Sequence, residues 1–155
     1  REALWHRRAM EDGDFYCCCV TDESRFVGLV CYWVHGDLVY LEHLAIATEC
    51  RNRGYGARVL EELHKRYAKY IIIAEVEPPA DELTRRRCGF YERLGYRRLP
   101  EAHVQLPYHP DTAAVPLLLY ACSDRTTEEI RASIPSFERY LHEHVMLYRD
   151  ERCHP

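Results

Sequence analysis

Apolar and polar residues alternate in blocks along the first third of the chain. Apolar, β-prone stretches cover residues 15–20, 26–34 and 38–46, and short polar turns at residues 21–24 and 35–37 separate them. Runs of this length between turn residues are typical of strands. Since short turns join neighbouring antiparallel strands, the pattern predicts a three-stranded antiparallel meander.

The period of the pattern changes after residue 54. Apolar residues between 59 and 67 recur at helical spacing, with charged residues on the other face. A short apolar run at residues 71–76 is stopped by two prolines, which predicts a buried strand. Residues 81–94 again have a helical pattern, and Gly95 suits the position just after a helix end.

The last part of the chain predicts two strands and a helix. The extended stretches are residues 96–106 and 115–122, and a capping box at residues 126–129 predicts the start of the helix. Pro135 is expected to break or kink this helix, because proline lacks a backbone N–H group. The order of the elements predicts an α/β (α+β) fold with a mixed sheet centred on a strand–helix–strand unit.

Length and composition predict one domain over residues 1–155. Of these 155 residues 47% are apolar, and the predicted core covers about residues 15–123, with a helical extension at about residues 126–149. The net charge of −4 argues against binding to nucleic acid. No apolar run approaches the ~18 residues of a membrane span, and nothing at the start resembles a signal peptide. We therefore expect a cytoplasmic protein that is not bound to a membrane.

The eight cysteines and nine histidines show no ligand or disulfide pattern. There is no C-x-x-C sequence, and the consecutive residues 17–19, all cysteine, would point to alternate faces of a strand. His142 and His144 do not share a helix face. We therefore expect reduced thiols and no bound metal.

Residues 51–57, Arg-Asn-Arg-Gly-Tyr-Gly-Ala, lie where the first predicted helix after the meander begins. The N-terminus of a helix carries unpaired backbone N–H groups and partial positive charge, and glycines let a ligand approach the backbone. Arg51 and Arg53 add positive charge, so the stretch predicts an anion site, most naturally for phosphates. It lacks both the Gly-Lys-Ser/Thr of a Walker motif and the third glycine of a dinucleotide-binding motif.

The same stretch resembles motif A of the GCN5-related N-acetyltransferase (GNAT) superfamily, Gln/Arg-x-x-Gly-x-Gly/Ala. Residues 44–46, Leu-Ala-Ile, resemble the end of the central strand of that family, and residues 90–96, FYERLGY, resemble its FYxxxGF segment. The resemblance implies a GNAT-like acyl-CoA N-acyltransferase fold. In that fold the central strand, residues 38–46, splays from the next strand, residues 71–77, to form the cofactor cleft.

The resemblance also implies acetyl-CoA as the cofactor and direct attack of an amine on the acetyl group. The backbone of residues 44–46 would pair with the pantetheine arm, and amides of residues 52–57 would hold the pyrophosphate. The cofactor-binding residues that it implies are Leu44, Ala45, Ile46, Arg51, Asn52, Arg53, Gly54, Tyr55, Gly56 and Ala57.

Two features depart from the family pattern. The family normally begins with a strand and two helices, whereas only residues 2–11 have helical composition before the first predicted strand. Either an N-terminal piece is missing or the acceptor-side wall is shorter. The C-terminal helical region also lies outside the common core, and we interpret it as packing or a homodimer contact.

Two residues are the candidates for acid–base chemistry. Tyr91 occupies the tyrosine of the FYxxxGF segment, which the resemblance places near the CoA sulfur, so our hypothesis is that it protonates the leaving thiolate. The alternative is a core aromatic residue. Glu42 is the favoured base, because an acid in the apolar strand LVYLEHLAI is costly to bury. The alternatives are an edge-facing glutamate in water and His43 as the base, although strand alternation places His43 on the opposite face.

The acceptor side has weaker candidates. Glu75 and Glu77, on one face of the next strand, could bind or deprotonate a cationic acceptor, and Tyr108 could line its site. Residues 85–87, all arginine, are interpreted as a solvated helix face rather than as phosphate ligands. The sequence thus favours an N-acetyltransferase that acts on a small-molecule amine. The alternatives are a non-catalytic acyl-CoA-binding or sensory module and a protein acetyltransferase.

Overall fold

Four α-helices and seven strands make up the part of the chain that the computed structural model describes, which is residues 3–107, 109 and 111–148. In chain order they are α1 (Ala3–Ala9), β1 (Phe15–Asp22), β2 (Arg25–His35), β3 (Leu38–Ile46), α2 (Tyr55–Arg66), β4 (Ile71–Val76), α3 (Glu82–Arg93), β5 (Arg97–Arg98), β6 (His103–Gln105), β7 (Val115–Cys122) and α4 (Thr127–Glu143). Short 3-10 helices lie at Thr48–Cys50, before α2, and at Val145–Tyr148, after α4.

The strands form one mixed sheet in the order β1-β2-β3-β4-β7-β5, and β6 pairs with the first residues of β7. β3 and β4 run parallel and are connected by α2, whereas β1–β2, β2–β3 and β4–β7 are antiparallel. The sequence-based predictions of an antiparallel meander and of a mixed sheet centred on a strand–helix–strand unit are therefore confirmed.

Two details of the prediction were wrong. The extended stretch at residues 96–106 is interrupted, and only β5 and β6 within it are strands. Pro100 lies between them and cannot donate a hydrogen bond to a neighbouring strand. Of the break and the kink expected at Pro135, the break does not occur, because α4 runs through this residue without a gap.

Packing explains why α4 tolerates Pro135. A proline inside a helix costs about 3 kcal/mol. The residues that α4 buries on one stripe include Ile130, Ile134, Phe137 and Leu141. Each buried side chain of this kind contributes roughly 1.5–3 kcal/mol, so the stripe as a whole outweighs the missing hydrogen bond.

Apolar residues are buried on both faces of the sheet. On one face, called the α4 face here, α1 and α4 cover a cluster that includes Trp33, Tyr40 and Ile73. On the other face, called the α2–α3 face, α2 and α3 cover a cluster that includes Tyr32 and Leu41. Because the sheet separates the two clusters, the face to which a polar side chain points decides which groups it can contact.

Gly28 is required by the close approach of β2 and β3. A Cβ atom at this buried position would lie 2.2 Å from the backbone oxygen of Ala45. We expect Gly28→Ala to lower the free energy of unfolding by about 1–3 kcal/mol, because the two strands must move apart. Gly13→Ala is the control, since nothing lies within 4 Å of the added atom. Urea unfolding of both variants measures the difference, and an equal effect at the two positions would contradict the prediction.

Among the residues described, no helix combines the length and the apolar character that crossing a membrane requires.

Candidate active site

The strands β3 and β4 separate part-way along their length. Their pairing runs from Leu38 with Ile71 to Leu41 with Ala74 and then stops, although both strands continue. The later residues of β3 remain paired with β2 on their other side, as far as Ile46. The part of β3 beyond Leu41 therefore has a backbone edge that no described strand covers. We call this opening between the two strands the fork.

A cleft of about 810 Å³ lies beside the fork on the α2–α3 face. This volume lies within the range typical of small-molecule sites. Its lining comes from the end of β3, the loop before α2, the first turn of α2 and one side of α3. The lining residues are Leu44, Ile46, Cys50, Arg51, Asn52, Gly54, Tyr55, Gly56, Ala57, Leu83, Arg86, Arg87, Phe90, Tyr91, Arg93 and Leu94. Of the predicted cofactor residues, only Ala45 and Arg53 are outside this set.

The loop before α2 presents free backbone donors to the cleft. Gly54 is the N-cap residue, with the left-handed φ of 77° that favours glycine, and it supplies no side-chain cap. The backbone N–H groups of residues 52–57 donate no hydrogen bond to any described residue. The Arg51 side chain donates to the Ile46 carbonyl at 3.1 Å, which connects this loop to the end of β3. The arrangement is that of an anion site at a helix N-terminus.

Two arginines of α3 complete the positive wall of the cleft. Arg86 and Arg87 line it, whereas Arg85 does not. Arg86 reaches the side chain of Asn52 at 3.5 Å, and Arg87 forms an ion pair with Glu77. The interpretation of this arginine run as a purely solvated face was therefore incomplete.

Tyr91 is one of the residues of α3 that line the cleft. Its side chain is only 9% exposed and packs edge-on against Tyr96 on the α2–α3 face. Burial raises the pKa of Tyr91, and the positive charge of Arg87 offsets part of that effect. Within the described part of the chain, the hydroxyl has no hydrogen-bond partner. At neutral pH this group therefore carries a proton that it can donate into the cleft.

Glu42 is buried at the fork, and a β-bulge determines its direction. Cys31 pairs with His43 and Tyr32 with Leu41, so Glu42 is an extra residue of β3. Its side chain is 1% exposed and accepts a hydrogen bond from Trp33 Nε1 at 2.8 Å, which places it on the α4 face. The edge-exposed alternative for Glu42 is therefore excluded.

The bulge also changes the predicted position of His43. Simple alternation placed His43 and Glu42 on opposite faces, but the extra residue resets the alternation. His43 Nε2 lies 3.7 Å from Glu42 Oε1, and the His43 side chain is 51% exposed. The histidine therefore lies between the buried carboxylate and solvent.

Glu42 and Tyr91 point to opposite faces of the sheet. Glu42 contacts Trp33 on the α4 face, and Tyr91 packs on the α2–α3 face. The sheet therefore separates the two residues that the sequence analysis predicted for acid–base chemistry.

Glu75 is buried next to the fork, and its carboxylate already contacts three neighbouring side chains. It follows Ala74, the last residue of β4 that pairs with β3, and its side chain is 5% exposed. Tyr40 and Gln105 donate to Oε2 at 2.6 and 2.9 Å, and His103 Nε2 lies 2.5 Å from Oε1. The carboxylate that was predicted to bind the acceptor is thus bound to three neighbouring side chains of the protein itself.

The other acceptor-side candidates do not join Glu75. Glu77 follows the end of β4, is half exposed and pairs with Arg87 of α3, so it does not share a face with Glu75. Their predicted placement on one strand face was wrong, because β4 ends at Val76. Tyr108 lies outside the described residues.

His103 was missed by the sequence analysis. It is 2% exposed in its side chain, and its second ring nitrogen, Nδ1, lies 3.7 Å from Glu138 of α4. Burial alone lowers the pKa of His103, but Glu75 and Glu138 outweigh it, so the pKa is raised overall. No sequence signal joins these residues, because Glu75 and His103 lie on strands that β7 brings together.

The raised pKa predicts a pH-dependent contribution to stability. The contribution is complete below the ordinary pKa of 6.5 and is lost as pH rises through the higher folded-state value. We expect His103→Gln to flatten the decline of the free energy of unfolding above about pH 6.5. Urea unfolding across this range measures the slope. His142→Gln, an exposed position on α4, is the control, and an unchanged slope in His103→Gln would contradict the assignment.

A separate polar cluster joins the start of β1 to the end of α4. Ligand atoms of Asp12, Asp14 and His144 lie within 4.8 Å of one another. His144 Nε2 is 2.9 Å from Asp12 but is poorly aligned for a hydrogen bond. Tyr148 and Tyr140 donate to Asp12 and Asp14 at 2.6 and 3.1 Å. His144 is about 130 positions from the two aspartates in the sequence. The spacing of the histidines therefore could not reveal this cluster.

The sheet, the fork and the helix N-terminus at the cleft define an α/β protein with a cleft beside two diverging strands. The family profile described as acetyltransferase (GNAT) domain matches residues 13–98, which include all of β1 to β4. The chain therefore belongs to the GNAT acetyltransferase family, and the resemblance seen in the sequence is confirmed. No curated protein matches the sequence.

Solved structures agree with this assignment. A GNAT-family acetyltransferase from Bacteroides thetaiotaomicron is 31% identical, with 94% of this chain and 81% of that chain covered and a TM-score of 0.82. The fold is shared with the ribosomal-protein-S18-alanine N-acetyltransferase of Escherichia coli, at 18% identity, 75% and 73% coverage and a TM-score of 0.55. It is also shared with the PaiA N-acetyltransferase of Thermoplasma acidophilum in complex with coenzyme A, at 15% identity, 76% and 66% coverage and a TM-score of 0.53.

Proposed function

We propose that the protein transfers an acetyl group from acetyl-CoA to the amine of a small molecule by direct attack. The observation that carries this proposal is the set of free backbone N–H groups of residues 52–57 beside the cleft. The first N–H groups of a helix have no partner within the helix, and a phosphate is a ligand that suits them.

The donor groups around the cleft support coenzyme A as its ligand. The amides of residues 52–57 would hold the pyrophosphate, with Arg51 and Arg86 adding positive charge. The uncovered edge of β3 at residues 44–46 would pair with the amide groups of the pantetheine arm, as an added strand does. When bound, acetyl-CoA supplies an activated thioester whose acetyl group an amine can accept.

Glu42 and Tyr91 would provide the proton transfers. An alkylamine has a pKa near ~10.4, so deprotonation at neutral pH requires roughly 4 kcal/mol. Glu42 would accept this proton on the α4 face, directly or through water. The half-exposed His43 would then transfer the proton from Glu42 to solvent. Tyr91 would donate its proton to the leaving thiolate on the α2–α3 face, where burial keeps the hydroxyl protonated.

The burial of Glu42 supports a small acceptor. The carboxylate is 1% exposed, and the covering layer of α4 lies on the same face. A compact amine can reach a carboxylate that is covered in this way more easily than a residue of a folded protein can. The neighbouring structures do not discriminate, because they include an enzyme named for a ribosomal protein and one named for an aminoglycoside.

The first test is binding of coenzyme A. We expect CoA to raise the unfolding temperature, because a ligand that binds the native state stabilises it. At a hundredfold excess over Kd the free energy of unfolding should rise by about 2.7 kcal/mol. The second test follows thiol release from acetyl-CoA with a panel of small amines and a matched panel of N-terminal and lysine peptides. Release with amines alone supports the proposal. Release with peptides alone would contradict the proposal of a small-molecule acceptor. Absence of CoA binding would contradict the proposal that acetyl-CoA is the cofactor.

A further inference from the structure

We propose that Cys17 and Cys31 form a thiol–disulfide exchange site that reacts with low-molecular-weight disulfides. The two cysteines are direct partners in the antiparallel pairing of β1 and β2. Their sulfur atoms lie 3.4 Å apart on the α4 face. This inference does not depend on the acetyl transfer, because it concerns other residues and another reaction.

The pairing of β1 and β2 holds Cys17 and Cys31 at a backbone distance that allows a disulfide bond. Directly opposed residues of antiparallel strands have Cα atoms about 4.5–5.5 Å apart, and disulfides span about 4.4–6.8 Å. A disulfide sulfur–sulfur bond is about 2.0 Å long, so the sulfur atoms need to approach by about 1.4 Å. Small side-chain rotations supply this movement, and the strand register can stay unchanged.

The two thiols differ in access, which gives them different roles. Cys17 is partly buried, whereas Cys31 is 1% exposed. The thiolate of Cys17 would attack the small disulfide, form a mixed disulfide and release one small thiol. Cys31 would then attack the sulfur of Cys17, form the protein disulfide and release the second small thiol. The two protein thiols are thus oxidised, the small disulfide is reduced to two thiols, and those thiols take up the two protons.

The position of Cys31 connects this pair to the fork. Cys31 is the partner of His43 on β3, directly beside the bulge that contains Glu42. The next two residues of β3 towards the cleft, Leu44 and Ala45, pair with Val30 and Leu29 of the same strand β2. A covalent link at Cys31 would therefore fix β2 to β1 at the strand pair that supports the bulge.

The test is oxidation of the folded protein with oxidised glutathione, followed by removal of the reagent, intact mass measurement and peptide mapping. We expect the wild type to yield a peptide bridged between Cys17 and Cys31 that is two hydrogens lighter than its reduced form, whatever adducts the exposed Cys18 and Cys19 carry. Cys31→Ser should instead retain glutathione on Cys17, because the second step is blocked. Cys19→Ser changes an exposed cysteine of the same strand and should still form the bridge.

Three results would overturn the inference. They are the absence of any bridge, a persistent glutathione adduct on wild-type Cys17, and a bridge that maps to Cys18 or Cys19. Thermal unfolding of the reduced variants checks that each one is folded before oxidation. Addition of a dithiol reductant should restore the original mass of the wild type.

Discussion

Glu42→Gln lowers kcat by about 10²–10⁴-fold, the usual contribution of a general base. The amide is nearly the same size and its oxygen can still accept the hydrogen bond from Trp33 Nε1, so the bulge and its packing are kept. What is lost is the capacity to accept a proton from the acceptor amine. The measurement is kcat of the variant and the wild type at saturating acetyl-CoA and acceptor amine.

The matched control for this variant is Glu77→Gln. Glu77 is half exposed, pairs with Arg87 and lies beyond the end of β4. Its replacement should leave kcat near the wild-type value. If Glu42→Gln also keeps the wild-type kcat, the base is another group. His43→Gln is then the variant to measure, because His43 lies beside the same carboxylate.

Tyr91→Phe lowers kcat by about 10²-fold or more while the Kd for CoA changes little. The ring keeps its packing against Tyr96, so the buried cluster is retained. Only the hydroxyl is removed, and no described residue depends on it for a hydrogen bond. Steady-state kinetics at saturating acetyl-CoA, together with thermal shift by CoA, separate turnover from cofactor binding.

Tyr96→Phe is the control for Tyr91→Phe. Tyr96 is buried in the same cluster, its hydroxyl is also without a partner, and it does not line the cleft. Its loss should leave kcat near the wild-type value. Equal turnover in wild type and Tyr91→Phe would remove the acid role and leave Tyr91 as a packing residue.

The parts of the fold that could be predicted from sequence are those with local patterns. The meander, the fork strands and the helix after the glycines follow from hydrophobic period and turn residues within short windows. The loop at residues 51–57 could be recognised as an anion site because a helix start and two glycines are adjacent in the chain. In the structure this loop lies at the cleft.

The parts that could not be predicted depend on tertiary contacts. The bulge at Glu42 arises because the register between β2 and β3 shifts at this residue. The alternation of residues along one strand cannot reveal such a shift. The pairing of His103 with Glu75 requires β7 to lie between their strands. Glu75 was a reasonable acceptor ligand in sequence, but the three groups that occupy its carboxylate come from elsewhere in the fold.

The separation of Glu42 and Tyr91 by the sheet has a consequence for how such enzymes diversify. On the proposed mechanism, the cofactor lies on the α2–α3 face and the proton acceptor Glu42 on the α4 face. Substitutions on the inner surface of α4 would then change the surroundings of Glu42, while the groups of the loop before α2, on the other face, stay unchanged. Relatives of the protein could in this way differ in their acceptor and still bind the same cofactor.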